Sequence, residues 1–127
     1  MQLIAGICQE HFPRVIGIDP NRMIVMNSQL RDMYGIDTVA FAQSNAVMCQ
    51  ATSLVINEVQ SGTLRLRNCP KLRRHLANTV EEVREPYGVR FGKDAQKSKI
   101  DAAIALAIAC LAYKTQVVGT ENYVPVG

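Results

Sequence analysis

A chain of 127 residues, 48% hydrophobic and 20% charged, is long enough for one domain with its own core and too short for two ordinary ones. Its formal net charge of +3 does not by itself point to a polyanionic partner, so the position of the charge has to decide. Cys8, Cys49, Cys69 and Cys110 are widely spaced, with no C-x-x-C pair, and His11 stands apart from His75. This spacing argues against a zinc site and against a disulfide scaffold, and is that of mostly buried thiols in a reducing, cytoplasmic setting.

Residues 2–10 suit a short helix ended by Pro13, without the basic lead-in of a secretory signal. Val15 to Ile18 form a short apolar run bounded by turn signals, as in a buried strand, and run directly into Asp19 and Pro20. Asp19 and Pro20 read as the cap and first residue of a helix whose apolar stripe is Met23, Met26, Leu30 and Met33, closed by Gly35. Residues 38–42, TVAFA, are a second buried strand, and Val47, Ala51, Leu54, Val55 and Val59 mark a further helix ending near Gly62. Alternating helices and fully apolar strands predict an α/β fold with a mainly parallel sheet covered on both faces. Residues 71–79 suit another helix, and VEEVREPYGVRF, 80–91, reads as a hairpin or an extended loop. The last element is an alanine-rich helix from about Ser98 to Thr115, apolar on nearly every side, and a tail with Gly119 and Pro125 follows. Its most apolar run, 102–113, falls short of the roughly 20 residues that cross a bilayer, so no membrane span is expected.

Two carboxylates stand where solvated charges seldom do: Asp19 at the carboxyl end of a buried strand, and Asp101 at the start of the most apolar helix. Strand ends are where open α/β sheets build their sites. Capping is the plainer account of both, since Asp19 precedes Pro20 and Ser98 with Asp101 fits the S-x-x-D box. The stretch from Leu64 to Leu76 carries Arg65, Arg67, Lys71, Arg73 and Arg74 with no acidic residue, and Lys93, Lys97 and Lys99 follow. Such a run is either a solvated face or a phosphate-contacting surface, and its scarcity of aromatics favours duplex backbone over stacked single strand. A P-loop is absent, and a lone His75 within a basic run reads as a surface residue rather than a general base.

Four blocks carry a resemblance: the G-x-L-R start at Gly62, P-x-L-R-R-H-x-x-N at Pro70 to Asn78, Y-G-V-x-F-G-K at Tyr87 to Lys93, and K-I-D-A-A-x-A-L at Lys99 to Leu106. Together they resemble the C-terminal end of the large subunit of tailed-phage terminases, the motors that package and cut viral DNA. VIGIDPNR, a helix and TVAFAQ are similar to the strand, helix and strand before that block, so the resemblance spans about residues 14–112. It implies a ribonuclease-H-like, resolvase-type fold, incomplete at its N-terminal strands, with residues 1–118 a partial nuclease domain and 119–127 a tail. It further implies an acidic cluster holding Mg²⁺ or Mn²⁺, in which Asp19 matches the acid ending the central strand and Asp101 the acid on the final helix. Double-stranded DNA would be the substrate, other terminase and portal components the partners of the parent protein, and the cytoplasm of the bacterial host the location.

The departures bear on activity. The ATPase domain and the strand bearing the family's first catalytic acid have no counterpart, and Leu64, Arg65 and Leu66 stand where L-R-H is frequent. Asn68, Cys69 and Pro70 replace a glycine-containing turn. The expectation is a metal-dependent endonuclease portion that cuts weakly or not at all alone, the alternative being a non-enzymatic DNA-binding or assembly module, a prophage remnant. An unpaired strand edge at Val15 to Ile18 would favour homo-oligomers.

Overall fold

In a computed structural model, residues 2–11, 13–21 and 24–118 are described. Chain order is α1 (Gln2–His11), β1 (Ile16–Ile18), α2 (Ile24–Tyr34), β2 (Thr38–Ala40), α3 (Asn45–Gln60), α4 (Pro70–Ala77), β3 (Thr79–Arg84), β4 (Gly88–Lys93) and α5 (Asp101–Ala112), which continues as a wider π-helical segment, Tyr113–Val118. The predicted tail from Gly119 lies outside the described residues, as does Met23 of the predicted stripe.

β1 and β2 are parallel neighbours, with Ile16, Gly17 and Ile18 opposite Thr38, Val39 and Ala40, and Phe41 N–H donates to the Ile18 carbonyl at 2.8 Å just beyond them. The expected mainly parallel sheet stops at this pair among the described residues. The remaining two strands form an antiparallel hairpin, pairing Thr79 with Lys93 through to Arg84 with Gly88, because the tight turn around Tyr87 folds the chain straight back. The hairpin thus takes the first of the two forms open to residues 80–91.

The core lies between α3 and α5. Phe41, Val47, Met48, Ala51 and Val55 cluster with Ala107, Ile108, Leu111 and Ala112, and the small alanines let the two helices approach closely. Ser44 starts α3 by accepting from Val47 N–H at 3.3 Å. Thr52, fully buried on α3, satisfies its hydroxyl by accepting from Phe91 N–H at 3.1 Å, which fastens β4 to the helix. Gly17 sets the distance between β1 and α5: a Cβ there would lie 2.8 Å from Ile108 Cγ2 and 3.2 Å from a Phe41 ring carbon, closer than side chains tolerate. Gly35, at φ 63°, ends α2 as expected, with Ile36 N–H bonded to the Leu30 carbonyl.

Three expectations need correcting. Met33 of the predicted stripe is 69% exposed while Leu30 is fully buried, so the α2 face is narrower than the periodicity suggested. Residue 79 belongs to β3, not to the preceding helix, which stops at Ala77 with Asn78 as its cap. Of the thiols only Cys49 is buried; Cys8 and Cys110 are half-buried and Cys69 is exposed.

Candidate functional site

Asp19 leaves the end of β1 at a turn. Its Oδ1 accepts from Asn21 N–H at 2.9 Å, an Asx turn that points the chain away from the strand. A carboxylate bonded to the N–H two residues ahead makes the bond a helix cap at Pro20 would make; α2 is described from Ile24, and the link between the two lies outside the described residues. The S-x-x-D box is not formed. Helix α5 starts at Asp101 itself, its N-cap is Ile100, and no side chain of the cap residue bonds the helix; Ser98 N–H instead closes a turn on the Ala95 carbonyl at 3.0 Å.

The cap of α5 comes from elsewhere. His75 Nδ1 accepts from Ala102 N–H at 2.9 Å, satisfying one of the donors that a helix start leaves open. His75 is only 8% exposed, which overturns its reading as a surface residue. The sequence held the signal: Leu72, His75 and Leu76 share one stripe of α4 at three- and four-residue spacing, and all three are buried or half-buried. Asn78 completes the joint. Its side-chain Nδ2 donates to the Lys99 carbonyl at 3.0 Å, and its own carbonyl accepts from Asp94 N–H at 2.9 Å. One residue therefore ties the end of α4 to the end of β4 and to the segment entering α5.

This joint fixes where Asp101 stands. Asp19 and Asp101, from opposite ends of the chain, line the same open cleft of about 930 Å³, whose wall includes Arg14, Gly17, Gln43, Ile104 and Ile108. Asp101 is exposed and Asp19 half-exposed. Beyond the Asn21 bond to Asp19, neither carboxylate has a hydrogen-bond or ion-pair partner among the described residues. Two unpaired carboxylates with the Gln43 amide oxygen are an all-oxygen donor set, which suits a hard divalent cation whose remaining positions hold water. Among the described residues no group of three or more histidine, cysteine or acidic side chains is placed to share one ion.

The eight predicted DNA-contacting residues divide by position. Arg65 and Arg67 lie in the extended stretch between α3 and α4, Lys71, Arg73 and Arg74 on α4, Lys93 at the end of β4, and Lys97 and Lys99 before α5; all are exposed. Arg73 Nη1 donates to Asn68 Oδ1 at 3.1 Å; the other seven side chains make no ion pair among the described residues. Lys71, Arg74, Lys97 and Lys99 come together around a second, smaller cleft, while Arg65, Arg67, Arg73 and Lys93 do not line it.

The family described as terminase large subunit, endonuclease domain, matches residues 2–116. No curated protein matches the chain. Among solved structures, the large terminase of bacteriophage HK97 is similar with a TM-score of 0.75 at 20% identity, over 87% of this chain and 23% of that one. The chain thus spans less than a quarter of that protein's length, and the likeness shows the fold, the α/β ribonuclease-H-like arrangement of which the described residues carry two parallel strands. With nearly its whole length matched, the chain belongs to the terminase large-subunit endonuclease-domain family.

Proposed function

We propose that the chain carries part of the site of a metal-dependent endonuclease acting on double-stranded DNA during genome packaging, with Asp19 and Asp101 as the metal-holding acids. The observation that supports this most is the convergence of two otherwise unpartnered carboxylates on one open cleft. Their mutual repulsion is relieved by a cation between them. Asp19 would hold it from the end of β1 and Asp101 from the start of α5, with Gln43 offering a neutral oxygen. When bound, Mg²⁺ or Mn²⁺ supplies an activated water and charge neutralisation at the phosphodiester. The basic residues around α4 would hold the DNA backbone, which aligns a phosphodiester with the acids and raises its effective concentration there.

With two acids in the cleft among the described residues, cation positioning is weak, so cleavage by this chain alone is expected to be slow or absent. The lack of a three-residue ligand group among the described residues favours, as a second reading, a DNA-binding or assembly module that does not cut. Calorimetric titration with Mn²⁺ separates the two. On the nuclease reading the wild type binds Mn²⁺, and Asp19→Asn and Asp101→Asn each weaken it at least about tenfold, or 1.4 kcal/mol. Saturable DNA binding with no Mn²⁺ binding in the wild type would leave the module as the better account.

A further inference from the structure

We infer that the small cleft between α4 and the 97–99 segment is a phosphate subsite, which grips one backbone phosphate of a DNA strand beside the acid cleft. The inference rests on the DNA-cleavage reading above and names where the substrate is held. The cleft, about 280 Å³, is lined by Lys71, Arg74, Lys97 and Lys99 with Ser98, His75 and Asn78, and no acidic residue faces it. Four cations converge there without a compensating carboxylate, and none of them makes an ion pair among the described residues. Cations left unpaired in a concave site focus positive potential on whatever enters it.

A second observation is independent of the charge. His75 is more than nine-tenths buried, and its Nδ1 is committed as acceptor to Ala102 N–H at 2.9 Å. The neutral ring must then carry its hydrogen on Nε2. That donor has no partner among the described residues, although a nearly buried donor left without one is costly. An anion in the cleft that His75 lines would satisfy it, together with the Ser98 hydroxyl, which has no partner among the described residues. A phosphate diester suits this set of donors and cations, because its oxygens only accept.

Position gives the site its role. Lys99 lines this cleft and Asp101 the acid cleft, and two residues span at most about 7 Å between Cα atoms. A strand whose phosphate sits by Lys99 therefore runs past Asp101. The same His75 that would meet the phosphate also caps α5, so filling the subsite bears directly on the helix start that carries the acid.

The test uses the whole chain and a 20-base-pair duplex, in the wild type and in the Arg74→Ala, Lys97→Ala double variant. Anisotropy titrations across salt give affinity and its salt slope, and ¹⁵N spectra of His75 report Nε2. Expected are a His75 Nε2 shift on adding duplex, an affinity loss of tenfold or more in the double variant, and a salt slope smaller by about 1 to 2. Wild type and double variant with equal affinity and slope would overturn the subsite while leaving DNA binding in place. Wild type that binds no duplex would overturn the subsite together with its DNA reading. If inorganic phosphate shifts His75 Nε2 saturably and the duplex does not, the cleft takes a free anion and the inference is wrong. A change in the unliganded thermal midpoint would reveal misfolding of the variant, and Lys97→Ala alone, an exposed turn substitution, then carries the comparison.

Discussion

On one side of the α5 start, Asp101 and Asp19 face an open cleft and accept, among the described residues, a single local hydrogen bond between them, from Asn21. On the other side, His75 and Asn78 fix the same turn of helix through bonds to Ala102 N–H and to the Lys99 carbonyl. The first side leaves its acceptors open to the cleft, whereas on the second Nδ1 of His75 and the Asn78 amide are engaged within the chain. The difference teaches that Asp101 is positioned from behind. The hydrogen bonds that locate Asp101 come from α4, a helix that contributes no acid to the cleft.

The sharpest way to break this comparison is His75→Ala. It removes the α5 cap and leaves a helix-start donor unmet, so a loss of about 2–3 kcal/mol is expected in urea unfolding; a loss within about 0.5 kcal/mol would mean that the cap does not locate the helix. On the other side, Gly17→Ala pushes β1 from Ile108 and Phe41 and should cost about 1–3 kcal/mol as overpacking, measured the same way, with Mn²⁺ affinity falling because Asp19 moves with β1. Asn78→Ala is milder, about 1 kcal/mol. It sharpens the comparison if it weakens Mn²⁺ binding without touching a carboxylate, as a positioning residue should.

The smallest effect lies outside both clefts. Burial, and secondarily Glu58, push the Cys110 thiol above its ordinary 9.0. The folded chain therefore keeps this proton to higher pH than the unfolded chain does, so the contribution is whole below about pH 9 and is lost as pH rises through the folded value. Between pH 8 and pH 10 the wild type should lose slightly more stability than Cys110→Ala; equal losses would remove Cys110 as the cause.

Much of the architecture was legible in residue order. The strand within Val15 to Ile18, the α3 stripe as far as Val55, Gly35, the turn at Tyr87 and the apolar α5 follow from periodicity and turn chemistry, which are local properties, whereas Val59, the last of that stripe, is 53% exposed. The basic residues were also legible as exposed, because long cations seldom bury. The S-x-x-D assignment failed because α5 starts at Asp101 and takes its cap from His75 on another helix, a partner that no local pattern names. His75 was misread because its basic neighbours in sequence face solvent, while its partner in space is on α5.

The sequence by itself determined the helices in outline and the two short parallel strands, which residues carry charge, and the family motifs, since these depend on spacing along the chain. Only the tertiary structure decided that Asp19 and Asp101 share a cleft, that four of the eight cations gather around another, and that His75 joins the two. Those relations link α4 and β1 to the start of α5 across long stretches of chain, and their distances are set by the packing of α3, α5 and Gly17 rather than by any local rule.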